Sequence, residues 1–289
     1  MFTRCLVYHV ASGQAFFSGA GVMLVAIGLL TRGRGRPGRR IGLLAACIGV
    51  ILVAVSATPM SPWIDLGLGV ATLLWFIGEV AGGLTPPIAK VLRIGAALAW
   101  VAAMLVEAPY HFRPDVPELG RPVLGIVGDS VTAGMGDPTT ATWPRILADR
   151  HGVEVRDHAV AGADVASALS QVAAISDEEN LVLLEIGGND ILGRTSPKRF
   201  EAGLEKLLAA VSRPGRVVVM LELPLPPFDN AYGRIQRRLA RRFKTRLVPK
   251  RLLLGVLTGR GTTLDSIHLS REGHGRMADA IWDVIRPAY

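Results

Sequence analysis

Residues able to open an acyl bond are scattered over the second half of the chain: Ser130, Gly162, Asn189, Asp265 and His268. Ser130 follows the apolar run Val123–Val127 in the turn Gly128-Asp129-Ser130. A hydroxyl is a poor nucleophile at neutral pH and needs a base. His268 can take its proton and later return it to the leaving group. Asp265, three residues earlier on the same segment, can hold the imidazole's other N–H and stabilise the imidazolium. The negative charge that develops on a carbonyl oxygen needs aimed donors, and the Ser130 N–H, the Gly162 N–H and the Asn189 amide can supply them. Gly162 lacks a Cβ that would hold a substrate away from the backbone. Singly, each segment is ordinary turn chemistry; together, with Asp129 and Asp190 adjoining in support, they are the parts of an acyl-transfer site.

Such residues must be brought together by the elements between them. From Pro122 onward, strand-like runs (Val123–Val127, Val153–Arg156, Leu181–Ile186, Val217–Leu221 and a weaker Arg246–Val248) alternate with helical stretches. The helices are expected from Thr142 to Gly152, then over Val165–Ile175, Pro197–Val211, Tyr232–Lys244 and Arg271–Ile285. Near-continuous Val/Leu/Ile strands alternating with helices predict a parallel sheet covered on both faces. Reactive groups then collect at the carboxyl ends of the strands, where Ser130, Gly162 and Asn189 fall.

Four segments in this order resemble the SGNH (GDSL-type) hydrolase family: Gly128-Asp129-Ser130, Gly162, Gly187-Gly188-Asn189-Asp190 and Asp265-x-x-His268. The likeness runs from about Val123 to Ile285. It implies a flavodoxin-like three-layer α/β/α fold, with Ser130 as nucleophile, His268 as base, Asp265 as its orienter, and Gly162 and Asn189 as oxyanion donors. Gly-Asp-Ser-Val-Thr-Ala-Gly134 and Leu223-Pro-Leu-Pro-Pro227 look most like the bacterial lysophospholipase/acyl-thioesterase/arylesterase branch. Asp157 stands where the family often has Asn, which bears on the local turn bonding. Ser130 is followed by Val-Thr, so the Gly-x-Ser-x-Gly elbow of the α/β-hydrolases is missing. No His, Cys or acidic cluster has ligand spacing, so neither metal nor cofactor is expected.

The first 110 residues differ in kind. They hold eight of the 32 Lys/Arg and three of the 24 Asp/Glu, so the formal charge of +8 divides into +5 and +3. The second half is only mildly basic, and nucleic acid is not an expected partner. Cys5 and Cys47 both sit in apolar stretches and suggest neither a disulfide framework nor a zinc site.

A transmembrane module is expected over residues 1–107, with apolar segments near 6–30, 41–57, 66–84 and 88–106, each close to the ~20 residues that cross a bilayer. A cleaved signal peptide is the competing reading of the first segment, but its apolar run is long and more spans follow. Five arginines between Arg32 and Arg40, with Lys90 and Arg93, lie on one side. The positive-inside rule makes that side cytoplasmic and places the N-terminus and the hydrolase-like part outside, across a bacterial inner membrane.

Glu79 is a carboxylate within an apolar run, read either as an intramembrane functional group or as an interfacial, solvated one. Gly78 to Gly82 forms a small-xxx-small pattern suited to close helix approach. Residues 108–121 are proline-rich and read as a stiff linker that keeps the domain over 122–289 close to the bilayer.

Nine Lys/Arg fall between Arg234 and Arg251, with Ile235, Leu239, Phe243 and Leu247 recurring every four residues. This is either a solvated helix face over a core contact or a face for anionic lipid headgroups. The expected function is a membrane-anchored serine acyl hydrolase acting on lipid or cell-envelope esters or thioesters. The expected partners are that acyl ester and membrane lipid; the oligomeric state is open. The alternative is an acyl or acetyl transferase or deacetylase working on an envelope glycan, and a non-catalytic protein with a relic domain is the third reading.

Overall fold

The computed structural model describes residues 2–32, 36–81, 85–134, 140–265 and 267–289. The chain forms two compact units. One comprises residues through Tyr8, Phe112–Leu225 and Ala231–Tyr289; the other comprises His9–His111 and Pro226–Asn230.

The helical unit is built from α1 (Phe2–Ala11, which begins in the other unit), α2 (Gln14–Arg32), α3 (Arg36–Val55), α4 (Pro62–Ala81) and α5 (Pro86–Glu107). Four of these helices, α2 to α5, are long and apolar enough to cross a membrane. The apolar run expected to be a single segment over 6–30 is broken at Ser12-Gly13. Gly13 adopts a positive φ of 85°, which ends α1 and redirects the chain. Pro62 and Pro86 open α4 and α5 in the first turn, where the missing N–H costs nothing.

The core of this unit is Phe16, Met23, Trp75, Trp100 and the small residues between them. A Cβ on Gly19 would sit 2.7 Å from the Gly49 carbonyl oxygen, so the close helix approach lies between α2 and α3. The glycine pair expected to serve this purpose was Gly78 and Gly82, and Gly82 lies outside the described residues. Glu79 is an ion-pair partner: the Arg93 side chain donates to both of its oxygens, and Arg39 donates to the Glu79 and Val80 carbonyls. Arg34, of the basic run expected between the first two spans, also lies outside the described residues.

The second unit runs β1 (Leu124–Gly128), α6 (Ser130–Ala133), α7 (Trp143–His151), β2 (Val155–Asp157), α8 (Ala168–Ala173), β3 (Leu181–Glu185), α9 (Gly188–Leu192), α10 (Pro197–Val211), β4 (Val217–Leu221), α11 (Asn230–Arg242), β5 (Arg246–Val248), α12 (Arg251–Leu257) and α13 (Arg271–Ile285). The five strands are all parallel in the order β2-β1-β3-β4-β5, the flavodoxin-like doubly wound arrangement. Leu124 pairs with Val155 on one side and Leu181 on the other, and Leu181 with Val217.

Alternate strand residues (Leu124, Ile126, Leu181, Leu183, Val219, Leu221) share one core with Trp143, Leu147, Met277 and Ile281 of α7 and α13. α8 packs against α10 as a separate helix pair. The expected helices over 197–211 and 271–285 are present with those bounds. The one expected over 165–175 is shorter, because Asp164 and Ser167 tie the first residues into a side-chain-bonded turn.

One expectation changes. The proline-rich stretch is packed onto this unit over its second part: Val116 is buried in the core and the Leu119 N–H donates to the Ala288 carbonyl at 2.8 Å. It is therefore no free spacer there. Three charges of the basic helix α11 are paired within the protein. Arg237 is buried against Glu222 at 2.7 Å, and Arg238 and Arg242 pair with Glu201 and Glu205 of α10 at 2.5 Å each.

Candidate active site

The parallel order has one switch point, between β1 and β3, where crossover connections leave in opposite directions. A crevice opens there at the carboxyl ends of the strands. Ser130 follows β1 and Asn189 follows β3, so the two flank this point. β1 ends at Gly128, where only glycine fits: a Cβ would lie 2.6 Å from Thr132 Oγ1. Asp129 then caps α6 by accepting the Val131 N–H at 2.9 Å, which turns the chain sharply and puts Ser130 at the first helical position. Ser130 is 8% exposed.

Below the turn, Gln171 makes both bonds that a strand neighbour would make. It accepts from the Gly128 N–H and donates to the Gly128 carbonyl, each at 3.0 Å. A second side chain, Glu185, ends β3 and accepts from Thr132 Oγ1 at 2.8 Å. Burial, and then the neighbouring Asp129 carboxylate, push the Glu185 carboxyl well above its ordinary range. Glu185 is therefore the protonated member of this carboxyl pair. Burial also raises Asp129, opposed by the Val131 N–H, by Glu185 and by the charge of His268.

Asp265 and His268 sit on a short loop closed by the Thr263–Leu269 bridge and by the Leu264 N–H donating to the His268 carbonyl at 2.8 Å. One Asp265 oxygen accepts the backbone N–H groups of Ile267 and His268 at 2.7 and 2.8 Å. Its other oxygen meets His268 Nδ1 at 2.6 Å. The side-chain bond to His268, reinforced by these two N–H groups, holds the Asp265 carboxyl well below the usual carboxylate range. An ionised Asp265 can only accept, so His268 Nδ1 carries the hydrogen of this bond and Nε2 is left facing away from Asp265. Ser270 caps α13 by accepting the Gly273 N–H and ties itself to the Gly261 carbonyl, fixing the loop at its far end.

Gly162 has a positive φ of 80°, in the turn after β2. Among the described residues, the backbone N–H groups of Ser130 and Gly162 make no hydrogen bond. Asn189 differs from its expected state. Its amide nitrogen faces two acceptors, the Ala163 carbonyl at 2.9 Å and Asp129 Oδ2 at 3.4 Å, which also fixes which end of the amide is nitrogen. It thereby stitches together the segments after β1, β2 and β3. Asp190 turns away and accepts the Val165 N–H at 2.9 Å. Asp157 bonds the Ala159 N–H at 3.0 Å, so the turn that an Asn would hold is made by the carboxylate.

Sequence reasoning passed over Gln171, Glu185 and Thr132. Glu185 alone carried a signal, as the charge that ends the apolar run Leu181–Leu184. His274 belongs to α13, buried, accepting the Trp143 N–H at 3.2 Å. Among the described residues no group of three His, Cys, Asp or Glu could hold a metal ion.

Residues 126–276 match the model of the GDSL-like lipase/acylhydrolase family. The chain is 30% identical over 175 residues to esterase TesA of Pseudomonas aeruginosa, covering 56% of this chain and 87% of that protein. It is 26% identical over 171 residues to thioesterase 1/protease 1/lysophospholipase L1 of Escherichia coli K12, covering 56% of this chain and 82% of that one. A crystal structure of TesA superposes with a TM-score of 0.51 at 29% identity, over 58% of this chain and 99% of the other. The family match leaves the apolar helices outside it. With a fold, an order of segments and a matched length in agreement, this chain belongs to the GDSL-like lipase/acylhydrolase (SGNH) family and is a hydrolase of the esterase type.

Proposed function

We propose that the protein is a membrane-anchored serine hydrolase that cleaves acyl esters or thioesters of lipid or cell-envelope origin, with Ser130 as nucleophile. The observation that carries this reading is the 2.6 Å Asp265–His268 hydrogen bond, with Ser130 standing at the carboxyl end of β1. Ser130 Oγ attacks the acyl carbon while His268 Nε2 accepts its proton. The resulting oxyanion is met by the Ser130 and Gly162 N–H groups and by the Asn189 amide hydrogen now aimed, at 3.4 Å, toward Asp129. That bond is long and weak, so the amide can re-aim while its 2.9 Å bond to the Ala163 carbonyl keeps it in place. His268 then protonates the leaving alcohol or thiol, and a water repeats the sequence to free Ser130. Asp265 stays ionised throughout and keeps Nδ1 protonated.

The four apolar helices are the anchor. Arg39, Glu79 and Arg93 cluster at one end of the helical unit, and that end is the cytoplasmic one under the positive-inside rule. This reading puts the hydrolase on the extracytoplasmic side of a bacterial inner membrane.

The test is a chain-length series of p-nitrophenyl esters, lysophospholipids and acetylated glycans, comparing the full-length protein with Ser130→Ala. Loss of a triad nucleophile removes several orders of magnitude of kcat. Turnover unaffected by Ser130→Ala, or no turnover on any member, refutes the proposal. Turnover confined to the acetylated glycans assigns the chain to the glycan-directed alternative.

A further inference from the structure

A cavity of about 760 Å³ lies within the helical unit, walled by α2, α3, α4 and α5. It has the size of a small-molecule site, and it is graded along its length. Thr58, Asp65 and Asn230 line one end, where α3 leaves and α4 begins, and Asn230 is held there by donating to the Ser56 carbonyl at 3.3 Å. The walls beyond are apolar, down to Met23, Trp75 and Phe76. From Asp65 to Trp75, α4 rises about 15 Å. That is half of a ~30 Å hydrocarbon core, or the depth of one lipid chain.

Two features make an acyl ester the occupant. Asn230 Oδ1 and the indole N–H groups of Trp75 and Trp100 are buried without a hydrogen-bond partner. Each is costly inside a membrane. A plain hydrocarbon leaves all three unmet, whereas at the polar end a head-group hydroxyl beside the ester can donate to Asn230 Oδ1. The polar end is also closed by Pro226–Asn230, the segment of the hydrolase sequence that follows Leu223-Pro-Leu after β4. The wall at the head-group end is therefore continuous in sequence with a connection leaving the carboxyl end of the catalytic sheet.

We propose that this cavity is a binding site for one long acyl chain of a membrane ester lipid, entering tail first, with its ester at the Thr58/Asp65/Asn230 end. That the lipid is also the substrate rests on the serine-hydrolase reading above; the binding site itself does not.

Cys47 lines the cavity and serves as a reporter. In full-length protein carrying Cys5→Ser and Ser130→Ala, in detergent, the rate of Cys47 alkylation by N-ethylmaleimide is followed while a palmitoyl lysophospholipid or its hexanoyl counterpart is titrated. The palmitoyl compound should slow alkylation at least tenfold, saturably, and the hexanoyl compound should not. Gly69 lines the same wall, and a Cβ there meets nothing within 4 Å. Gly69→Phe should add bulk to this wall, abolish the protection, and, with Ser130 restored, lower the palmitoyl-to-acetyl ratio of kcat/KM at least tenfold. Ala54→Phe, on another wall, repeats the measurement should Gly69→Phe fail to give a monodisperse protein. Alkylation indifferent to the palmitoyl compound, or equal protection in the wild type and a folded cavity-filling variant, overturns the site. Protection that the variant removes, without Ser130-dependent turnover of any ester, upholds the site and refutes the hydrolase reading.

Discussion

Gly273 offers a test of how the His268 loop is held. It lies in the first turn of α13, remote from Ser130 in sequence. A Cβ added there would come to 1.9 Å from the Thr262 carbonyl oxygen and 2.9 Å from its carbon. Both are backbone atoms, so no rotamer change relieves the contact, and relief to 3.0 Å requires a movement of about 1.1 Å. Thr262 cannot yield alone. Its carbonyl accepts the Ser270 N–H at 2.9 Å, its hydroxyl donates to the Val256 carbonyl at 2.5 Å, and the next residue forms the bridge that closes the Asp265–His268 loop. The displacement therefore passes into the loop.

A misplacement of about 1 Å in a catalytic group costs on the order of 100-fold in rate, and forcing extra atoms into a packed site costs about 1–3 kcal/mol of stability. Gly273→Ala should lower kcat on p-nitrophenyl acetate about 100-fold, with a modest fall in unfolding midpoint. Gly275→Ala is the control two residues along α13, since its Cβ would make an ordinary 3.5 Å contact with Arg150. It should keep full activity and gain up to about 1 kcal/mol from helix propensity. A folded Gly273→Ala protein within twofold of wild-type kcat would refute the claim that this contact sets the loop.

Two further expectations concern the groups beneath Ser130. Because the folded protein holds the Glu185 proton above the ordinary carboxyl range, it binds more protons than the unfolded chain once pH exceeds that range. Stability must then fall as pH rises, by up to about 1.4 kcal/mol per pH unit for one proton. Glu185→Gln removes that slope, so its melting temperature relative to wild type should climb between pH 5 and pH 8; parallel profiles would show Glu185 to be ionised. Gln171→Leu strands the N–H of Gly128, at a cost of about 1–3 kcal/mol when buried and unpaired, while the Gly128 carbonyl keeps the Val160 N–H at 3.1 Å. Urea unfolding should register a loss of about 1–3 kcal/mol, and a loss below about 0.5 kcal/mol would mean that the strand end finds another acceptor.

Much of the catalytic half could be read from residue order, because its signals are local. Apolar runs of strand length, Thr142 with Pro144, the left-handed Gly152 and the Ser270 cap are each decided by neighbours within a few residues. The same holds for Asp265 and His268, whose bonding is complete inside one loop. The Ser12-Gly13 break was hidden because its flanks are apolar, and hydropathy does not register one backbone torsion. Three of the α11 charges were open between lipid and protein because Glu201, Glu205 and Glu222 reach them only after the chain folds. The proline-rich stretch looked solvent-facing because nothing in it announces Val116 as core.

The sequence by itself determined the strand and helix alternation, the family and the candidates for the reactive groups, since side-chain chemistry and short-range backbone preference are properties of the residues. Tertiary structure decided which groups are charged and which are aimed. Glu185 is neutral because its burial and Asp129 make it so, and the Asn189 amide is directed by acceptors on two other loops. The cavity likewise exists only where four helices separated in sequence close around it. Burial, field and enclosure are set by neighbours brought from far along the chain, and those neighbours are fixed only once the protein has folded.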